Sequence, residues 1–375
     1  MSVKQFSFDL ALQEQSIDFA YGLYRDDKAW IPPMRSELNF QFSPEFSFYQ
    51  KSGNYHKHFL AMQGHSVVGR VSAFVNSDLK DQTGMPIGTV GFFDSLDDYT
   101  VARDLLDASV EWFHARGIKR IWGPMNFDIW HGYRFMTKGF EEKLFFGEPY
   151  NKQYYPDFFL RYGFTAKQQW NSVEVTGRPT IERIIQRGME RYDRLIAKGY
   201  RFENFRLTRF SEEVRKLYSL LTVSFSQFLG FTPITFSDFE HVFAPSRYAI
   251  EPSLFHFVYD ENNHLVGFVG AFLEISDAVR SMKGKAGLMS LLKFFRARRH
   301  VNRIMFHIGG YTPEEAAKRS GLGRAAFYCI VRQMLDLGYD NLLVTLMAQG
   351  NPVRGLLRGY GADERREYTL YELNI

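Results

Sequence analysis

The 375-residue sequence has a single cysteine, Cys329, so no disulfide can form within the chain. That thiol lies inside an apolar helical pattern, which fits a buried side chain better than a nucleophile. No stretch approaches the run of about eighteen uninterrupted apolar residues that a membrane span needs. The opening "MSVKQFSFDL" has no apolar signal-peptide core, and together these absences lead us to expect a cytoplasmic protein. Zinc-type cysteine spacing, an HExxH helix, a Walker loop and a GxSxG elbow are all missing, so no metal is expected. The net charge of +4 is small for this length and gives no reason to expect nucleic acid as a partner.

Apolar material is plentiful. Hydrophobic residues make up 45% of the chain and aromatics 17%, including 37 Phe and 21 Tyr, which excludes disorder and supplies packed cores. The length exceeds what one core usually holds, so two domains are expected.

The chain carries an internal duplication. "FLAMQGHSVVGRVSAF" at 59–74 and "FVYDENNHLVGFVGAF" at 257–272 share V-G-x-V-x-A-F at a separation of 198 residues. "RYGFTAKQQWNSVEV" at 161–175 falls on "GYGADERREYTLYEL" at 359–373 at the same separation. Each half reads as a hairpin, a third strand, a long helix, a further strand, a short helix and a closing alternating strand. Val101, Leu105, Ala108 and Trp112 mark the first long helix; Ala326, Ile330, Met334 and Leu337 mark the second. The expected fold is α/β of the α+β mixed-sheet kind, with two tandem domains at 1–178 and 179–375.

At the strand-to-helix junctions the two halves differ. The second reads Lys318-Arg319-Ser320-Gly321-Leu322-Gly323-Arg324, glycines among cations where a helix bares its first amides. Such a turn suits a diphosphate, because glycine lets the anion approach the main chain and the amides carry partial positive charge. The first half has "FFDSLDD" there, and Asp94, Asp97 and Asp98 would cap a helix and repel an anion.

These features resemble two tandem domains of the GNAT acyltransferase superfamily. In that family a Q/R-x-x-G-x-G/A loop receives the pyrophosphate of coenzyme A, and Lys318 to Gly323 matches it with Lys at the Gln/Arg position. An Asn opening a short helix is matched by Asn351 in "NPVRGLLRGYGA", although the tyrosine that usually follows is absent and Leu357 and Arg358 stand in its place. The resemblance implies an acyl-CoA-dependent (or acetyl-CoA-dependent) N-acyltransferase in which an amine attacks the thioester directly. The second domain would hold the donor, and the degenerate first domain would serve the acceptor or act as scaffold. His307 on strand 303–309 and Glu274 at a strand end are candidate bases. Tyr371 and Tyr328 are possible substitutes for the missing tyrosine. Asn126, His131 and Tyr133 in the long loop 123–140 are candidate acceptor contacts.

Between two strands of the second half lies 279–303, with eight Lys/Arg, no carboxylate, and an apolar stripe of Leu288, Leu291, Leu292 and Phe295. This pattern suits a solvated helix, an attraction for the 3′-phosphate of coenzyme A, or a peripheral contact with an anionic inner-membrane surface. The last would fit a small-molecule or lipid amine acceptor such as a sphingoid base, since the layout also resembles that of bacterial ceramide synthases. Two alternatives stay open: aminoacyl transfer from charged tRNA, and a non-catalytic binding or scaffold protein.

Overall fold

The computed structural model describes residues 1–360 and 362–375; Gly361, part of the repeated Tyr-Gly pair, lies outside them. In chain order the strands are β1 (Ser2–Phe6), β2 (Tyr55–Gln63), β3 (Ser66–Lys80), β4 (Pro86–Ser95), β5 (Arg120–Gly123), β6 (Phe135–Lys138), β7 (Thr165–Thr176), β8 (Arg201–Asn204), β9 (Ile250–Tyr259), β10 (Leu265–Leu273), β11 (Ile304–Tyr311), β12 (Asn341–Ala348) and β13 (Asp363–Asn374). The helices are α1 (Leu10–Leu23), α2 (Arg35–Gln41), α3 (Ser47–Gln50), α4 (Tyr99–His114), α5 (Tyr155–Tyr162), α6 (Arg178–Ala197), α7 (Phe210–Ser224), α8 (Phe236–Phe243), α9 (Ser276–Met282), α10 (Leu288–Arg298), α11 (Pro313–Lys318), α12 (Leu322–Asp336) and α13 (Pro352–Arg358).

The chain divides into two compact units. One contains Met1–Trp170, Ser276–Arg299 and Arg366–Ile375; the other contains Asn171–Ile275 and His300–Arg365. In the first unit the strand order is β1-β2-β3-β4-β5-β13, antiparallel except for the parallel pair β4 and β5. In the second it is β8-β9-β10-β11-β12-β7, with β11 and β12 as the parallel pair. The units repeat one mixed-sheet plan, as the duplicated sequence requires. Relative to the sequence halves they exchange their closing strands: β13 completes the first unit and β7, from Asn171 on, the second.

The shared V-G-x-V motif has a packing cause. A Cβ at Gly69 on β3 would lie 2.7 Å from Val101 and 2.9 Å from Leu105, so glycine is what lets α4 settle on the sheet. Its counterpart 198 residues later, Gly267 on β10, would meet Leu322 of α12 at 3.4 Å and the Gly310 carbonyl at 3.1 Å. In the first unit Phe59, Val71, Val90, Leu105, Phe113 and Phe159 belong to the main core, all buried. In the second unit Leu195, Val258, Val266, Leu322 and Ala325 form a core cluster that joins α6 and α12 to the sheet.

Candidate functional site

The second unit opens its sheet between β11 and β12. Their parallel ladder runs from Ile304↔Leu342 to Phe306↔Val344 and stops, although β11 continues to Tyr311 and β12 to Ala348. On its other side β11 carries a bulge: Gly270 and Ala271 of β10 pair with Ile308 and Phe306, which leaves His307 as the extra residue. A bulge re-aims a side chain, and here it sits where the ladder ends. His307 is exposed, its Nδ1 lies 2.7 Å from Thr345 Oγ1, and the Thr345 hydroxyl lies 3.3 Å from the Phe306 carbonyl.

Beyond β11 the chain makes the short helix α11, whose N-cap Thr312 accepts from the Glu315 amide, and then the glycine turn. Arg319 and Gly321 are both left-handed, at φ 49° and 86°. Glycine takes that conformation without strain; the arginine takes it as a helix C-cap. The Leu322 amide donates to Ser320 Oγ, and the amides of Arg324 and Ala325 donate to the Gly321 carbonyl. The amides of Gly321 and Gly323 have no hydrogen-bond partner among the described residues. These two donors at a helix start are what an anion needs.

A network centred on the buried Glu315 holds the turn. The Glu315 carboxylate accepts from Ser320 Oγ at 2.5 Å and from Tyr200 OH at 3.0 Å, and Lys318 Nζ lies 3.1 Å from it. Lys318 is also 3.6 Å from Asp260. Its bond to Glu315 holds the ammonium above the usual lysine range. Two carboxylates therefore balance the charge of Lys318, although its side chain is exposed.

A cavity of about 750 Å³ is lined by Arg187, Arg191 and one carboxylate, Glu190, of α6, by Arg324, Phe327 and Tyr328 of α12, and by Tyr360. None of the three arginines pairs with a carboxylate among the described residues. Arg187 stacks over the Tyr360 ring at 5.1 Å. A spacing of four residues puts Arg187 and Arg191 on one face of α6. That spacing is the signal in the sequence that marks these two residues, which no motif points to. The cavity is larger than the one of about 490 Å³ on α7 between Ser211 and Ser219, and it borders the start of α12 through Arg324.

The remaining sequence candidates are placed as follows. Glu274 is buried, 3.3 Å from Arg303, which also reaches Glu174 at 3.4 Å. Asn351 caps α13 by accepting from the Val353 amide at 2.9 Å. Tyr328 is buried against the cavity and accepts from Arg332, whereas Tyr371 packs in the first unit's core. Cys329 is buried 3.6 Å from His256, and burial pushes its thiol up to about 12. Among the described residues no group of three or more His, Cys, Asp or Glu is placed to hold a metal.

The corresponding position in the first unit is closed. The β4 and β5 ladder covers Gly88↔Ile121 and Thr89↔Trp122, but the chain after β5 stays bonded to β4. Met125 donates to the Val90 carbonyl at 2.8 Å, and Asn126 Oδ1 accepts from the Phe92 amide at 2.7 Å. Phe92 and Phe127 then join Phe42, Phe46, Phe48 and Phe74 in a packed aromatic cluster. His131 bonds Asp128 at 2.7 Å and packs edge-on to Phe46 and Phe127. Tyr133 lies under the Arg134 guanidinium at 3.9 Å and edge-on to Trp170. At the junction Asp94 pairs with Arg70 at 2.7 Å and accepts from Tyr24 and Tyr155, while Asp98 caps α4.

No protein-family model matches the chain. It is 22% identical to Protein YghO of Escherichia coli (strain K12), over 96% of this chain and 92% of that protein. It is 25% identical to the bacterial ceramide synthase of Caulobacter vibrioides, over 92% of this chain and 90% of the relative. Among solved structures, a tandem GNAT protein from the clavulanic acid biosynthesis pathway matches with a TM-score of 0.53 and 11% identity, covering 100% of this chain and 98% of that one. The chain therefore has the tandem GNAT fold.

Proposed function

We propose that the chain is an acyl-CoA-dependent N-acyltransferase whose second unit binds the donor. One observation carries the reading: of two copies of the same sheet, the second leaves its parallel pair open past Phe306 and Val344 and the first bonds it shut through Asn126. The open edge supplies a slot for a pantetheine arm. The Gly321 and Gly323 amides lie at the start of α12, beside the cavity, and suit its diphosphate. Arg187, Arg191 and Arg324 add countercharge, while that of Lys318 is shared with two carboxylates.

In the reaction the amine lone pair attacks the thioester carbonyl carbon, forming the C–N bond. Main-chain amides on β11 that lack a β12 partner polarise the carbonyl oxygen, the interaction that strengthens most as charge develops. The C–S bond then breaks, the amine proton passes to a base, and the thiolate takes a proton to leave as coenzyme A. His307 is the base we assign. The Thr345 hydroxyl has one proton to give the Phe306 carbonyl, so the ring donates from Nδ1 and keeps its lone pair on Nε2. Glu274 is a poorer choice, since it is buried and paired with Arg303 at 3.3 Å, whereas His307 is exposed where the ladder ends.

For the acceptor we propose a lipid amine, met at an anionic membrane surface. The name of the Caulobacter relative supports this, with 25% identity along nearly the whole chain. The test is thiol release from acyl-CoAs of rising chain length across a panel of amines that includes sphingoid bases and water-soluble amines. Turnover only with long chains and lipid amines is the expected result. Tight thioester binding with no turnover on any amine would leave a binding protein instead.

A further inference from the structure

The basic insertion belongs to the first unit, although the sequence places it between strands of the second. Its base is pinned. Asp277 pairs with Lys143 and Arg280 donates to the Ala29 carbonyl at 3.2 Å. The Gly284 carbonyl accepts from the Arg35 amide at 3.1 Å, and a side chain at Gly284 would come 2.6 Å from the Tyr21 hydroxyl. From this anchored base α10 presents an uncovered apolar face. Leu288 is 78% exposed, Met289 65%, Leu292 57% and Phe295 49%, while Phe294 alone on the helix is buried.

Leu288, Leu291, Leu292 and Phe295 share one side of the helix, and Arg296 and Arg298 flank that side on either edge. Lys283, Lys285, Lys293 and Arg299 are exposed around it. No carboxylate occurs from Ala278 to Thr312. No helix among the described residues is long and apolar enough to cross a membrane.

We propose that α10 docks the protein onto the surface of an anionic phospholipid bilayer, with its leucines and Phe295 in the acyl boundary and its cations on the headgroups. Three observations choose this occupant. Nucleic acid would satisfy the cations and leave four large apolar side chains wet. A second copy docked on the same face would bring like charges together, because a twofold contact pairs a patch with itself. A bilayer with negative headgroups takes both. The long basic side chains can lie along the apolar surface while their heads stay at the phosphate level. The inference rests on the lipid reading of the acceptor and names the surface from which such an amine would be taken.

The test is flotation with vesicles of three parts phosphatidylcholine to one part phosphatidylglycerol, and with pure phosphatidylcholine, without thioester or amine. Wild type should float with the anionic vesicles and release as salt rises to about 0.5 M. Leu288→Glu/Leu292→Glu and Lys293→Glu/Arg296→Glu should each lower partitioning by about tenfold or more. Both pairs are exposed, so coenzyme A binding and the melting temperature should stay at wild-type values. No flotation of the wild type, flotation untouched by either pair, or dimerisation through this face in lipid-free solution would overturn the proposal. A protein that transfers acyl groups yet stays off vesicles defeats the docking alone, and one that floats but binds no coenzyme A defeats the transferase reading alone.

Discussion

Arg191 lies against Gly321: a Cβ on the glycine would stand 3.4 Å from Arg191 Cδ. The contact joins a helix that closes the cavity to the turn that opens α12. Gly321→Asp should abolish coenzyme A binding, because a carboxylate would replace space and positive potential with negative charge. Gly321→Ala should cost about 1 kcal/mol through its left-handed backbone. Arg187→Ala and Arg191→Ala should each weaken coenzyme A about tenfold by calorimetry, as loss of a charged hydrogen bond does. Unchanged affinity in both would remove the cavity from the donor site.

Asn126 gives the opposite expectation. Its Oδ1 holds the Phe92 amide. Asn126→Ala should lower stability by about 1–3 kcal/mol, the cost of a buried amide left without a partner. The KM for the amine should not move. A raised KM at unchanged stability would make Asn126 an acceptor contact instead.

His307→Gln should lower kcat by about a hundredfold or more and erase the acidic limb of the pH–rate profile, while coenzyme A affinity holds. An unchanged profile would leave the proton transfer to water or another group.

The repeated glycine predicts a packing defect. Gly69→Ala puts a methyl within 3 Å of Val101 and Leu105, so urea denaturation should show a loss of about 1–3 kcal/mol. A neutral result would mean that α4 has room to shift.

Acid should weaken the fold in a defined window. Burial holds His256 down to about 4, and burial with Lys57 nearby holds His56 to about 4. Burial keeps fully enclosed His58 well below the ordinary value, with His56, Lys57 and Arg70 adding to the effect. These rings stay neutral in the fold and take a proton in the unfolded chain below about pH 6.5. Stability is thus complete above that pH and falls as pH drops towards 4, at a slope of about 1.4 kcal/mol per unit for each histidine. Urea midpoints measured between about pH 7.5 and 4.5 check this. A flat dependence, or one that rises towards acid, would contradict it.

Particular residues show how far the sequence could be read. The duplication was legible because both copies keep a glycine under a helix and an alternating closing strand. The glycine turn was legible as a turn, since few other residues take φ 86°. The exchange of β7 and β13 was not, because two closing strands 198 residues apart are equivalent in pattern and either could complete either sheet. The balancing of Lys318 by Asp260 depends on a distant turn, although Glu315, three residues before it on the same helix, was within reach of helical spacing. Asn126 offers the same polar atoms whether it faces a ligand or the Phe92 amide, and only the fold decides. Arg187 and Arg191 stand at i and i+4, but that spacing alone does not separate a ligand-facing pair from a solvated charged face.

The most direct measurement is a calorimetric titration of the full chain with coenzyme A. One equivalent should bind per chain, with binding lost in Gly321→Asp and unchanged in Asn126→Ala. Two equivalents, or binding that survives Gly321→Asp, would contradict the assignment of the donor to the open sheet of the second unit.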